Sequence, residues 1–182
     1  MKEFMNSVRE FVERIVQQET RYKSSRRVLQ ENRFPACESM ALCVKTIALD
    51  VRFVQTEATE CTLSIETEDL RDVLDDVCFI AKFDGNLLSV SSSEKHFHGA
   101  ELIVGLPTES VVVDAVSRDG DISIVDCEVK RVSITTESSD IVVNGVTCDG
   151  IRLHSQNGDV TALNIQSKEP ICATSVNGDV TR

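Results

Sequence analysis

Four stretches of the C-terminal half can be laid over one another: VDAVSRDGDI (113–122), VSITTESSDI (132–141), IRLHSQNGDV (151–160) and ICATSVNGDV (171–180). Asp121, Asp140, Asp159 and Asp179 recur at intervals of 19, 19 and 20 residues. Eight positions earlier stands a β-branched residue each time: Val113, Val132, Ile151 and Ile171. Ala115, Ile134, Leu153 and Ala173 follow, then Ser117, Thr136, Ser155 and Ser175. Gly120, Ser139, Gly158 and Gly178 precede the aspartates, and Ile122, Ile141, Val160 and Val180 succeed them. Cys127, Val146 and Ile165 make a further column.

A fixed period of this length is the signature of a repeat architecture. One repeat is too thin to enclose a core. Stacked repeats align their apolar residues in ladders and bury them continuously. Strand hydrogen bonds then run between rungs about 4.8 Å apart. The glycines are expected to supply positive φ at the turns. Asp119, Ser138, Asn157 and Asn177 sit beside them, where short polar side chains bond the backbone. Stacked aspartates repel unless each accepts an N–H or shares a cation. The expected fold is mainly β: a single-stranded β-solenoid of 19–20 residues per rung, regular over 113–182. Its last rung stops short at Arg182, which predicts a bare strand edge open to pairing.

Upstream the period is two. Ile47, Leu49, Val51 and Phe53 alternate with polar or small residues, as do Cys61, Leu63 and Ile65. Phe79, Ala81 and Phe83 run into Asp84-Gly85 and on to Leu88 and Val90, a hairpin pattern. Leu102, Val104 and Leu106 form another strand before Pro107. These irregular strands fill 45–106 of a solenoid domain spanning 45–182. Leu70, Val73, Leu74 and Val77 show brief helical spacing, with Thr67 as N-cap. Residues 1–34 read as an amphipathic α-helical arm, with Phe4, Val8, Phe11 and Ile15 on one face and Pro35 as its stop. The arm carries +3 and the remainder −14. That asymmetry draws the arm to its own body, to a second copy or to an acidic membrane surface.

The composition excludes several function classes. Nineteen basic against 30 acidic residues leave a net charge of −11, which argues against nucleic acid. Aromatics are 4% and Trp is absent, which argues against a sugar cleft of stacked rings. The N-terminus lacks the apolar core of a secretory signal, and no apolar run reaches the roughly 18 residues of a membrane span. Seven cysteines without a C-x-x-C pair fit free thiols in a reducing cytoplasm.

The stretches ELIVGLPTESVVVDAVSRDGDISI, SSDIVV, QNGDVTALNI and VNGDVTR resemble the putative-adhesin β-solenoid domains. The resemblance covers about 47–182 and is strongest from Glu101. It implies a single-stranded β-solenoid with a less regular N-terminal part.

No catalytic, cofactor or metal site is assigned. His96 and His98, with Glu94, are the best metal candidates, but they fall short of the three or four convergent ligands such a site needs. The aspartate column outlines the carboxylates of β-helical polysaccharide lyases, yet Arg152 and Lys130 stand at unmatched positions for the basic partner. His154 could pair with Ser155 or Cys148, but its column mates Val116, Thr135 and Thr174 suggest an outward residue. Cys127 reads as core. The motifs of serine hydrolases, zincins and P-loops are absent.

The expected function is therefore a non-enzymatic interaction scaffold. It would pair with itself or a protein partner through the N-terminal helix or the C-terminal rung edge. A carbohydrate-active β-helix using the aspartates and a membrane-proximal regulatory subunit are the alternatives.

Overall fold

A computed structural model describes residues 27–67, 78–92, 99–107 and 111–182. The regular repeats come first in the logic of the fold. Val112–Ser117 (β8), Arg131–Thr136 (β10), Gly150–Ser155 (β13) and Cys172–Ser175 (β16) stack in parallel. So do Ile122–Val125 (β9), Ile141–Asn144 (β11), Val160–Leu163 (β14) and Val180–Thr181 (β17) on the opposite sheet. A third short side pairs Thr147–Cys148 (β12) with Gln166–Ser167 (β15). The registers place Val113, Val132 and Ile151 in one column, and Ala115, Ile134, Leu153 and Ala173 in the next. All seven are at most 4% exposed, so alternation along each strand becomes a continuous apolar ladder across strands.

The irregular half joins the same stack, out of chain order. Ala41–Thr46 (β2) and Asp50–Gln55 (β3) form a rung directly beneath β8 and β9. Leu87–Ser92 (β6) and Ala100–Leu106 (β7) form the rung beneath that. The first-made rung thus lies inside the stack. The chain crosses it between β7 and β8. Its columns continue those above: Leu88, Leu42 and Val113 on one sheet, Leu102, Val51 and Ile122 on the other. Phe53 lies between Val104 and Ile124 and is fully buried.

Antiparallel strands close the lower end. Phe79–Asp84 (β5) pairs with β6 across a turn at Gly85, whose φ of +61° is the hairpin geometry expected of Asp-Gly. Glu60–Thr67 (β4) pairs with β7, and Arg27–Pro35 (β1) pairs with β4. The sheets therefore read β1-β4-β7-β3-β9-β11-β14-β17 and β16-β13-β10-β8-β2-β6-β5.

Three expectations are corrected. First, the described residues contain no helix. Residues 27–34 of the expected helical arm extend as β1 instead, because Leu29 and Phe34 pack against the core and the strand completes the edge beside β4. Residues 1–26 lie outside the described residues, as does the helical spacing at 70–77. Second, Thr67 ends β4 rather than capping a helix. It is buried and its hydroxyl donates to the Gly99 carbonyl at 3.0 Å. Third, Gly120, Gly158 and Gly178 do not supply positive φ. A Cβ on Gly158 would lie 2.1 Å from the Ser139 carbonyl oxygen, and one on Gly178 2.3 Å from that of Gly158. These glycines let rungs approach. Positive φ belongs to another corner, where Asp126, Gly145 and Asn164 repeat at 19-residue intervals. They are residue types that tolerate this conformation.

Candidate functional site

The aspartates gather at the corner between the two sheets, where their backbone and side chains link the rungs. The Asp121 N–H donates to Asp50 Oδ1 at 2.9 Å, and the Asp140 N–H to Asp121 Oδ1 at 2.9 Å. The Asp159 and Asp179 N–H groups donate to Asp140 and Asp159 at 2.8 Å each. The column therefore has five members. Below Asp50 the register adds Glu101 and then Glu66, so the acidic row continues down to β4. Arg52 pairs with Glu101 at 3.1 Å.

Two more ladders fasten this corner. The Gly120, Gly158 and Gly178 N–H groups donate to Ser117, Ser155 and Ser175 hydroxyls at 2.8–2.9 Å. Asn177 Nδ2 donates to Asn157 Oδ1, and Asn157 Nδ2 to the Glu137 carbonyl. The sequence pattern suggested bonds within each turn. The glycine N–H bonds to serine lie within the turn, but the Ser155 and Ser175 hydroxyls donate to the Ser139 and Gly158 carbonyls of the rung below, and the aspartate and asparagine bonds likewise run from rung to rung.

An N–H donated to each of the lower four carboxylates offsets the repulsion of stacking them. The offset is incomplete at Asp121. Burial raises its pKa from the ordinary 3.8 and the charge of Asp140 adds to the rise, against the lowering effect of the Asp140 N–H. A raised folded-state pKa means that this group favours folding below the ordinary aspartate range, a contribution lost as pH rises through the folded value. Asp121→Asn keeps an acceptor oxygen and removes the charge. Its melting temperature is expected to gain on wild type between about pH 3 and pH 7. Thermal melts across that range check the sign.

The residues weighed for chemistry do not converge. Lys130 precedes the first residue of β10 while Asp140 follows its last, so a strand separates them. Arg152 is exposed on β13 between the buried Ile151 and Leu153, on the outer face of its sheet. His154 Nδ1 lies 3.0 Å from Thr174 Oγ1, also on the outer face, while Ser155 is fully buried and bonded to the Ser139 carbonyl. The two point to opposite sides of one strand and cannot form a dyad. Burial pushes the Cys127 and Cys61 thiols up to about 12, so both stay protonated at neutral pH. Burial also raises Cys148. Glu94, His96 and His98 lie outside the described residues, and no group of three metal-ligating side chains occurs among the described ones.

Asp50 was the member the repeat missed. The signal was there: Asp50-Val51 repeats the Asp121-Ile122 dyad, and Leu42, Val44 and Thr46 precede it at the spacing of Val113, Ala115 and Ser117. Leu49 in the glycine column and the 71-residue gap hid it.

This two-sheet stack of rungs can be placed among known proteins. The Toastrack DUF4097 family model matches residues 38–181, from the turn before β2 to the last strand. The chain belongs to the Toastrack family. A solved structure of a putative cell adhesion protein from Clostridium sporogenes shares the Toastrack fold, with a TM-score of 0.53 at 9% identity over 75% of this chain and 73% of that one. A putative adhesin from Parabacteroides distasonis aligns over 84% of this Toastrack chain and 72% of its own, at 15% identity and a TM-score of 0.43. No curated protein sequence matches the chain.

Proposed function

We propose that this Toastrack chain is a non-enzymatic, adhesin-like interaction scaffold that pairs with a second copy through the rung formed by β16 and β17. The observation that carries this reading is the upper end of the stack, where β16 and β17 end both sheets as one open rung. At the lower end, Gln30 occupies the start of the β5 edge: its side-chain amide donates to the Phe79 carbonyl at 3.1 Å and accepts the Phe79 N–H at 3.0 Å. That is the pair of bonds an added strand would make. Phe34 meets the Phe83 ring at 6.1 Å beside it. At the upper end, β16 and β17 are the last strands of both sheets, with Val176 and Val180 60% and 40% exposed. Strand edges flanked by exposed valines favour pairing with another chain. The naming of the Clostridium sporogenes structure as a putative cell adhesion protein accords with an interaction role. The engaged aspartate column accords with a structural use of its carboxylates.

Light scattering over a concentration series tests it. Wild type is expected to dimerise, and a Val176→Lys, Val180→Lys variant to remain monomeric with an unchanged circular dichroism spectrum. A wild-type chain that stays monomeric throughout overturns self-pairing.

A further inference from the structure

We infer that the outer face of the lower rungs holds a binding groove for an extended acidic peptide. The register builds it. Across β5, β6 and β2 run two outward rows, Lys82–Ser89–Cys43 and Ile80–Ser91–Lys45. Within these rows the middle strand contributes only Ser89 and Ser91, with Val90 beneath them and the exposed Leu87 one outward position beyond, so the taller side chains on either side border a groove of about 300 Å³. The two lysines stand at diagonal corners. Two strand spacings across and two residues along separate their Cα atoms by about 12 Å.

Charge identifies the occupant. The whole chain carries −11, yet the groove lining holds two lysines and no carboxylate. Asp84 and Asp114 lie one position outside the array in register. Neither forms an ion pair with Lys45 or Lys82, and no other carboxylate among the described residues does so. Ile80, 62% exposed, supplies an apolar contact between the charges. An extended polypeptide repeats its side chains every ~6.8 Å on one face, so acidic residues two or four apart reach the two ammonium groups. No lining residue offers the aromatic face on which sugar rings stack. A peptide with acidic and apolar side chains therefore fits better than an anionic glycan. The groove lies at the opposite end of the stack from β16 and β17, and this assignment does not depend on self-pairing.

The test uses the full chain and a short fluorescein-labelled peptide of glutamate and isoleucine residues, read by anisotropy. Binding is expected at about 0.02 M salt and weakening toward about 0.3 M, as exposed ion pairs are screened. Lys45→Glu with Lys82→Glu is expected to weaken it at least about tenfold. Lys130→Glu, the same charge change on another exposed lysine, leaves it within about twofold. Both lysines of the groove are exposed, so circular dichroism and melting temperature stay those of wild type. No binding at low salt, or equal binding by the double variant, overturns the groove. Lysine-dependent binding of a heparin fragment without binding of the peptide overturns the peptide assignment.

Discussion

Ile134→Asp is expected to remove a large share of the protein's stability. Ile134 sits mid-strand in β10, 1% exposed, with Ala115 below and Leu153 above in the same column. A carboxylate there finds apolar neighbours on the rungs above and below. An uncompensated buried charge costs about 3–5 kcal/mol, against a total stability of roughly 5–15 kcal/mol for a domain. The loss is not confined to one rung, because each ladder supports its neighbours. Thr135→Asp, one residue along and exposed, should change stability by no more than about 0.5 kcal/mol. Ile134→Val should cost about 1 kcal/mol. Urea denaturation followed by circular dichroism ranks the three. A tolerated Ile134→Asp would mean that the column does not face a dry core.

That parity was legible in the sequence because the repeat states it several times. Columns such as Val113, Val132 and Ile151 could be read as stacked before any strand was placed, since a period of 19 superimposes a period of two. The rung at residues 42–51 was less legible. It carries the same apolar and acidic positions as the others, but Ala48 and Leu49 replace the usual turn chemistry. Thr46 Oγ1 is buried there without a hydrogen bond, whereas Ser117 accepts one above it. Nothing local declares that this rung sits beneath residues 112–125 while the next rung in the chain goes under it. Such an order is set by long-range pairing, to which neither periodicity nor propensity is sensitive. Residues 27–34 misled for a related reason. Their helical reading came from running the helix of the preceding residues on to Pro35, but Leu29 and Phe34 find their apolar partners only after β4 and β5 are in place. At the candidate site the aspartates were visible and their bonding direction was not. A local turn bond and a bond to the next rung demand the same residue type.

Gly158→Ala is expected to destabilise the protein by about 3 kcal/mol, the upper end of the usual overpacking cost. A Cβ at that position would lie 2.1 Å from the Ser139 oxygen, 2.3 Å from its carbonyl carbon and 2.9 Å from the Asp140 nitrogen. All three are backbone atoms held in the rung-to-rung bonding, so no side chain can turn aside to relieve the contact. Ser139 occupies the same column with a Cβ, and its turn shows the alternative. There Thr136 donates its hydroxyl to the Ser139 carbonyl at 2.8 Å, whereas in the glycine turns the hydroxyl accepts the glycine N–H. To accommodate a methyl group, Gly158 would have to shift toward that arrangement and give up its 2.8 Å bond to Ser155. Gly85→Ala separates this effect from backbone strain. Gly85 has φ +61° with nothing within 4 Å of a built Cβ, so only the left-handed penalty applies, about 1 kcal/mol. If close approach governs, Gly158→Ala is the more damaging although its φ is ordinary. If positive φ governed, Gly85→Ala would be the worse of the two. Chemical denaturation of both variants decides between them, and the order of the two midpoints is the readout.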